Sequence, residues 1–146
     1  MSESSIRATI KTTLESASGI GIVHDYMRDS RSPAKFIALL TPTLGTTVNG
    51  WMFSRTATQS EWTDFDSRLK THVFTIEGYY ELNDLSASEK TFQGIIEAIA
   101  NACDVSPSLN SLNPTPPLQV NIVDTKEVGD KLYHHCTLFL SVQEEV

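Results

Sequence analysis

The sequence is poor in cysteine, has no long apolar run and carries no excess of positive charge. Its 146 residues contain 2 cysteines, too few for the disulfide framework of a small secreted domain. The longest apolar candidate, FIALL, is far shorter than the roughly 18 residues that a membrane span requires. The first residues, MSESSIRATIK, lack the apolar segment of a signal peptide. We therefore expect a protein of a reducing, cytosolic compartment that does not cross a membrane.

The acidic balance argues against one class of partner. A net charge of -7 and a pI near 4.9 do not suit a wide basic surface that grips nucleic acid by its phosphates. A local cluster of Arg28, Arg31 and Lys35 could still touch nucleic acid. The apolar fraction of 40% and the charged fraction of 20% are ordinary for a globular protein, and the length suits one domain.

Hydrophobic spacing predicts three helices. Ser5 is the expected N-cap of the first helix. The residues SPAKFIALL begin a short second helix at a Ser-Pro pair and stop before a proline. In the third helix, SASEKTFQGIIEAIANAC, Ser86 precedes Glu89 at the spacing of a capping box. The apolar faces of the first and third helices are expected to contain Ile6, Ile10 and Leu14, and Phe92, Ile96, Ile99 and Cys103, respectively.

Alternating patterns predict four to five strands. IVHDYM is a short strand, and WMFSRTATQSEW and LKTHVFTIEGYYEL are expected antiparallel partners, with Phe74 and Ile76 on one face. After a proline-rich loop at residues 104–117, LQVNIVD and KLYHHCTLFLSVQ form a second hairpin that turns near Gly129 and Asp130. In the first of these strands the residues expected to share a face are Leu118, Val120 and Ile122. The fold class predicted is α+β, a single domain with a mostly antiparallel sheet flanked by two main helices and one short helix.

The run KLYHHC raises the question of a metal site. Successive side chains of a strand point to opposite faces, so His134 and His135 point apart, and of the three only His134 and Cys136 could meet one metal. A closed zinc site needs about four ligands, and His24, His72 and Cys103 show no short paired spacing. We therefore predict no metal ligands here. The face expected to pack under the helices contains Leu132, His134, Cys136, Leu138 and Leu140.

The sequence gives no strong sign of catalysis or of a cofactor. It has no Gly-x-Ser-x-Gly nucleophile motif, and the paired glycines in GIGIVH lack the third glycine of a dinucleotide fingerprint. His24 and Asp25 face apart if they lie on a strand, and Cys103 lies on the apolar face of a helix, where a thiol is inert. Asp64 and Asp66 could bind a cation, although a solvated turn between two strands is the favoured interpretation. No catalytic, cofactor-binding or metal-binding residue is predicted.

The order of these segments resembles that of a known family of virion proteins. The phrases that carry the likeness span nearly the whole chain: IRATIKTTLE, GIGIVHDYMR, FIALL, NGWMFSR, HVFTIEGYYELND, SEKTFQGIIEAI and VGDKLYHHCTLFLSVQE. Together they resemble the tail terminator, or tail completion, proteins of long-tailed bacteriophages and prophages. Each phrase alone is an ordinary helix or strand, so the likeness rests on their order and spacing.

The resemblance implies a structural function without chemistry. A protein of this family forms a ring, typically a hexamer, on the end of the tail tube, stops tube growth and offers a surface to the head-tail connector. The expected partners are further copies of the chain, the tail tube protein and a connector or neck protein, with DNA passing through the lumen without specific binding. The expected location is the head-proximal end of the virion tail, after synthesis in the host cytoplasm. The alternatives are another neck or head-completion adaptor of the virion and a small soluble hydrolase.

A ring subunit must expose surfaces that meet its neighbours, and the sequence offers three candidates. Trp51 and Phe53 join Arg55 in GWMFSR, a mixture typical of interfaces, although aromatic packing in the core is an equal alternative. Tyr79 and Tyr80 point to opposite faces, so one can contact a partner. The loops TPTLGTTVNG and SPSLNSLNPTPP are long enough to contact partners, through Leu44, Leu109 and Leu112, or to be plain solvent loops.

Arginines are the candidates for the lumen or for a partner contact. Arg28, Arg31 and Arg68 could line the central hole, whereas a lumen without strong positive charge would let DNA slide. The sequence leaves both arrangements open.

Overall fold

The chain folds into one five-stranded sheet with helices on both faces. A computed structural model describes residues 3–29, 31–43, 45–105 and 117–145. The predicted α+β class is confirmed. In chain order the elements are α1 (Glu3–Glu15), β1 (Ile22–His24), α2 (Pro33–Leu40), β2 (Asn49–Trp62), β3 (Arg68–Glu81), a 3₁₀ turn (Asp84–Ser86), α3 (Ser88–Val105), β4 (Gln119–Val128) and β5 (Lys131–Glu145).

Both predicted hairpins are present, and they are joined through their second strands. The strand order is β1-β2-β3-β5-β4, in which β1 is parallel to β2 and every other pair is antiparallel. The second hairpin turns at Gly129, whose φ of 66° favours glycine. β3 and β5 therefore lie in the middle of the sheet, and β4 forms one edge.

The main core lies on one face of the sheet, here called the helix face, under α1 and α3. Trp51 is fully buried and stacks on Phe92 of α3 with ring centroids 5.7 Å apart. The predicted apolar faces of both helices are confirmed, because every one of their residues is buried. The sheet contributes Phe53, Phe74, Ile76, Cys136, Leu138 and Leu140 to the same core.

The opposite face, here called the groove face, carries a smaller core under α2. This helix begins as predicted, with Ser32 as its N-cap accepting a hydrogen bond from the Lys35 amide at 3.2 Å. Phe36 meets Tyr79 edge to face at 5.0 Å and Tyr133 at 5.2 Å. Because α2 has only eight residues, it covers one end of this long face and leaves the rest to solvent.

Two predicted helix starts were wrong. Ser5 lies inside α1, which begins at Glu3. Ser86 belongs to the 3₁₀ turn, and Ala87 adopts a left-handed conformation with φ 55°, so α3 begins at Ser88. A cluster of serines offers several cap positions to a local pattern, and tertiary packing selects among them.

The predicted alternation of β4 was also wrong. A register shift between Val120 and Ile122 pairs Val120 with Leu138 and Ile122 with Thr137. The extra residue of such a bulge breaks the period of two, so Val120 lies on the helix face and Ile122 on the groove face. Both side chains are exposed. Leu132, expected in the core, is also exposed, because it lies beside the turn at the start of β5, beyond the residues that pair with β3.

None of the helices in the described part of the chain is long and apolar enough to cross a membrane.

Two glycines should respond in opposite ways to replacement by alanine, because one lies against the Trp51 ring and the other has open space around it. A Cβ at Gly78 would overlap the Trp51 ring, so Gly78→Ala should lower the free energy of unfolding by about 2 kcal/mol through overpacking. Gly94 lies on the exposed side of α3 with no atom near its would-be Cβ, so Gly94→Ala should raise it by up to about 1 kcal/mol. Urea unfolding followed by circular dichroism measures both values. Equal stabilities for Gly78→Ala and the parent chain would refute the packing argument.

Candidate functional site

A groove of about 440 Å³ lies beside α2 on the groove face. Its floor is formed by side chains of α2, β2 and β3, and its rim by the segment before α2 and by the end of β4. The apolar floor includes Phe36, Leu39, Met52 and Tyr79. The groove exists because α2 covers the end of the sheet without extending along it.

A histidine between two carboxylates lies next to this groove. His135 Nδ1 is 2.7 Å from Asp124 Oδ1, and His135 Nε2 is 3.2 Å from Glu77 Oε1. The register explains the arrangement, because His135 lies directly opposite Asp124 of β4 and Tyr79 of β3, and Glu77 is two residues from Tyr79 on the same face. The Tyr79 ring lies 4.9 Å from the imidazole, and its hydroxyl is 3.3 Å from Lys126 Nζ.

The charges of this network reinforce each other. Hydrogen bonding to Glu77 raises the pKa of His135, with Asp124 adding to it and burial opposing it. The same hydrogen bond lowers the pKa of Glu77. Burial raises the pKa of Tyr79, and its hydrogen bond raises the pKa of Lys126. His135 is thus favoured as an imidazolium whose two N–H groups donate to carboxylates.

This arrangement suits a charge-balanced structural support better than a general base. A general base needs an imidazole nitrogen with a free lone pair within reach of a proton donor. Both nitrogens of His135 are engaged by carboxylates, so neither is available to activate a nucleophile.

The other residues of KLYHHC are engaged on the helix face. His134 and His135 point apart, as predicted, and His134 Nε2 is 2.8 Å from Ser88 Oγ. The His134 ring stacks on Phe92 at 5.5 Å, and burial lowers its pKa. Cys136 and Cys103 are free and buried, and burial raises both thiol pKa values to about 12. A thiol held in this way is a poor nucleophile.

The remaining histidines are widely separated. His24 Nε2 is 2.7 Å from the Leu39 carbonyl oxygen, and His72 Nε2 is 2.9 Å from Glu144 Oε1 at the other end of the sheet. Within the described ranges, no three His, Cys, Asp or Glu side chains form a group that could hold a metal ion.

The structure corrects the interface prediction for three aromatic residues. Trp51 and Phe53 have no exposed surface, and Tyr79 is buried under α2, so core packing is the alternative that the structure supports. Tyr80 points to the other face, as expected, but is half-buried against Phe92 at 6.1 Å. Arg55 is exposed. Leu44, Leu109 and Leu112 lie outside the described residues.

The three candidate arginines do not form one cluster. Arg28 and Arg31 line the rim of the groove. Arg68 lies at the other end of β3, with its guanidinium 5.8 Å from the centre of the Trp62 ring.

The most exposed aromatic residues were not singled out by the sequence pattern. Trp62 is 71% exposed and Phe65 is 95% exposed at the tip of the β2–β3 hairpin. The expected turn is present there, and its Asp64 accepts a hydrogen bond from the Phe65 amide at 2.6 Å. The sequence pattern predicted a turn at Asp64 and Asp66. Phe65 between them is a signal for an exposed contact residue, since a solvated turn seldom carries an aromatic ring.

A scan against models of known protein families found no match, and a search of curated proteins found none either.

The opposite pKa shifts of His135 and Glu77 define a pH window. The raised pKa of His135 means that its contribution is complete below its ordinary value of 6.5 and is lost as pH rises through the folded-state pKa. The lowered pKa of Glu77 means that its contribution is present above 4.5 and is lost as pH falls through the folded-state pKa. The network therefore stabilises the fold most between pH 4.5 and 6.5.

Replacing His135 should therefore cost more stability in mild acid than in base. His135→Asn should lower the free energy of unfolding by about 2 kcal/mol at about pH 5.5 and by clearly less at about pH 9, because the charged hydrogen bonds are lost only where they exist. Urea unfolding at the two pH values measures the difference. Thr137→Ala, two residues along the same face, removes no ionisable group and should cost the same at both. An equal cost of His135→Asn at both pH values would contradict the assignment.

Proposed function

We propose that this chain is a ring-forming tail terminator, a structural virion protein that caps the tail tube and forms the head-tail joining surface. Two kinds of support combine: the order of sequence phrases, which resembles that family, and a fold that carries exposed apolar surface away from its core. The proposed location is the head-proximal end of the tail.

The observation that carries the proposal is the long β2–β3 hairpin. β1 pairs with β2 at Gly50, Trp51 and Met52, and along the rest of this β2 edge no other described strand is paired. From Arg55 to Trp62 every residue of β2 is exposed, and the turn beyond presents Phe65. An extension of this kind adds little to the subunit's own core, and its aromatic tip suits contact with a neighbouring protein.

The opposite edge of the sheet supports the same proposal. β4 is exposed along almost all of its length and presents Val120, Ile122 and Val123 to solvent. A long apolar edge strand tends to pair with other chains unless something covers it. Lys126 and the bulge near Ile122 limit nonspecific pairing of β4 with strands of other chains. An edge with these features is suited to binding one specific partner.

The charge of the chain fits a ring that surrounds DNA without binding it. The net charge of -7 does not favour a tight grip on phosphates. Arg68 lies on the hairpin, whereas Arg28 and Arg31 lie at the groove. We therefore assign these arginines to protein contacts at two separate places on the surface. The proposed partners are other copies of the chain, the tail tube protein and a connector or neck protein.

A terminator should self-associate and should bind tube ends. Sedimentation velocity over a wide concentration range should show a hexamer whose fraction increases with concentration, because ring formation follows mass action. Gold-labelled protein mixed with purified tail tubes should decorate tube ends in electron micrographs. Binding to the portal or connector without binding to tube ends would favour a neck adaptor instead, and indifference to both would reject the virion assignment.

A further inference from the structure

The hairpin tip has the form of an apolar knob between two acids. Phe65 is 95% exposed, and Asp64 and Asp66 flank it in the chain. The turn is closed by a hydrogen bond from the Thr63 amide to the Ser67 carbonyl at 3.1 Å, so the ring is held outward on an ordered loop. Burying an aromatic side chain of this size contributes about 2 to 3 kcal/mol of free energy. Within a single copy the Phe65 ring stays exposed, so this contribution is available to a contact with another molecule.

The groove beside α2 has the complementary form. Its floor is apolar, and Arg28, Arg31 and Lys126 line it with positive charge. Three acids also line the groove. Glu77 is hydrogen-bonded to His135, and strand alternation directs the Glu127 side chain to the helix face, away from the Lys126 side chain. Lys126 is already engaged, because its ammonium is 3.3 Å from the Tyr79 hydroxyl and lies near Glu77 and Asp124. Arg28 and Arg31 are therefore the rim cations that a partner can meet, with Asp29 as the neighbouring acid.

The groove is large enough for the knob. A cavity of about 150 Å³ can hold a benzene ring. The groove measures about 440 Å³, so it has room for the Phe65 ring and for part of the turn that carries it.

The knob and the groove lie at opposite ends of the same strand. Tyr79 borders the groove, and Arg68 begins β3 at the hairpin tip. A strand rises about 3.3 Å per residue, so these positions are roughly 35 Å apart and cannot meet within one copy. Two different patches that bind each other between copies make a head-to-tail contact, which closes into a ring when the rotation permits.

We propose that the Phe65 knob of one copy docks in the α2 groove of the next, with Asp64 and Asp66 facing Arg28 and Arg31. The partner is thus a second copy of this chain. The inference rests on the proposed ring-forming function and names the contact that builds the ring.

Two variants, each lacking one half of the contact, test the proposal. Phe65→Ala removes the knob and keeps the groove, and the double variant Arg28→Glu/Arg31→Glu reverses the rim and keeps the knob. Each alone should self-associate at least tenfold more weakly than the parent chain in sedimentation velocity. Mixed together they should form a one-to-one dimer and nothing larger, because one intact knob and one intact groove remain.

Matched controls separate docking from general effects. Leu85→Ala removes a fully exposed apolar side chain far along the chain from the tip, and Lys35→Glu reverses an exposed charge of α2 that does not line the groove. Both should associate like the parent chain. Circular dichroism spectra should be the same for all variants, since every altered side chain lies on the surface or at the groove rim.

The outcomes distinguish the docking contact from the proposed function. Parent-like association of both variants, or a parent chain that stays monomeric at every concentration, would overturn the docking contact. If Phe65→Ala still forms the ring and caps tube ends, the docking contact fails while the terminator function stands. If the parent chain forms the ring through this contact but never binds tube ends, the docking contact stands and the terminator function fails.

Discussion

The register between β3 and β5 fixes which side chains enter the core and which form the polar network. Phe74 and Ile76 face Leu140 and Leu138 across this pair, which places four apolar side chains on the helix face. A slip of β5 by one residue would turn its other face inward and carry His135 under α3, away from Glu77. Burying the charged imidazole there without Glu77 would cost several kcal/mol, so the core and the network exclude the same wrong register.

The two faces of the sheet differ because their helices differ in length. α1 and α3 cover the helix face with 13 and 18 residues, whereas α2 covers the groove face with 8. The uncovered part of the groove face can therefore carry polar side chains such as His135 and its carboxylates. The groove is the boundary between the covered and uncovered parts, which is why its floor is apolar and its rim is charged.

The proposed contact surfaces lie apart from the core that stabilises the fold. Trp51 and Phe53 lie in the buried core, whereas Trp62 and Phe65 lie on the exposed distal part of β2 and in the turn that follows it. A substitution at the tip should therefore have little effect on folding. A substitution at Gly78 should instead affect folding, because the Trp51 ring packs closely against Gly78 and joins β2 to β3 at the centre of the sheet.

The α+β class, both hairpins and the apolar faces of α1 and α3 could be predicted from the sequence, because they follow from local periods of 3.6 and 2 residues. The sequence also placed His134 and His135 on opposite faces, since alternation along a strand needs no knowledge of neighbours. The burial of Trp51, Phe53 and Tyr79 could not be predicted, because a two-residue period does not say how much of a face the helices cover. Only pairing between strands distant in the chain could bring Glu77, His135 and Asp124 together, and only the bulge in β4 could move Val120 and Ile122 to opposite faces. Local patterns contain no such long-range information, so the groove and the exposed tip are formed only in the folded chain.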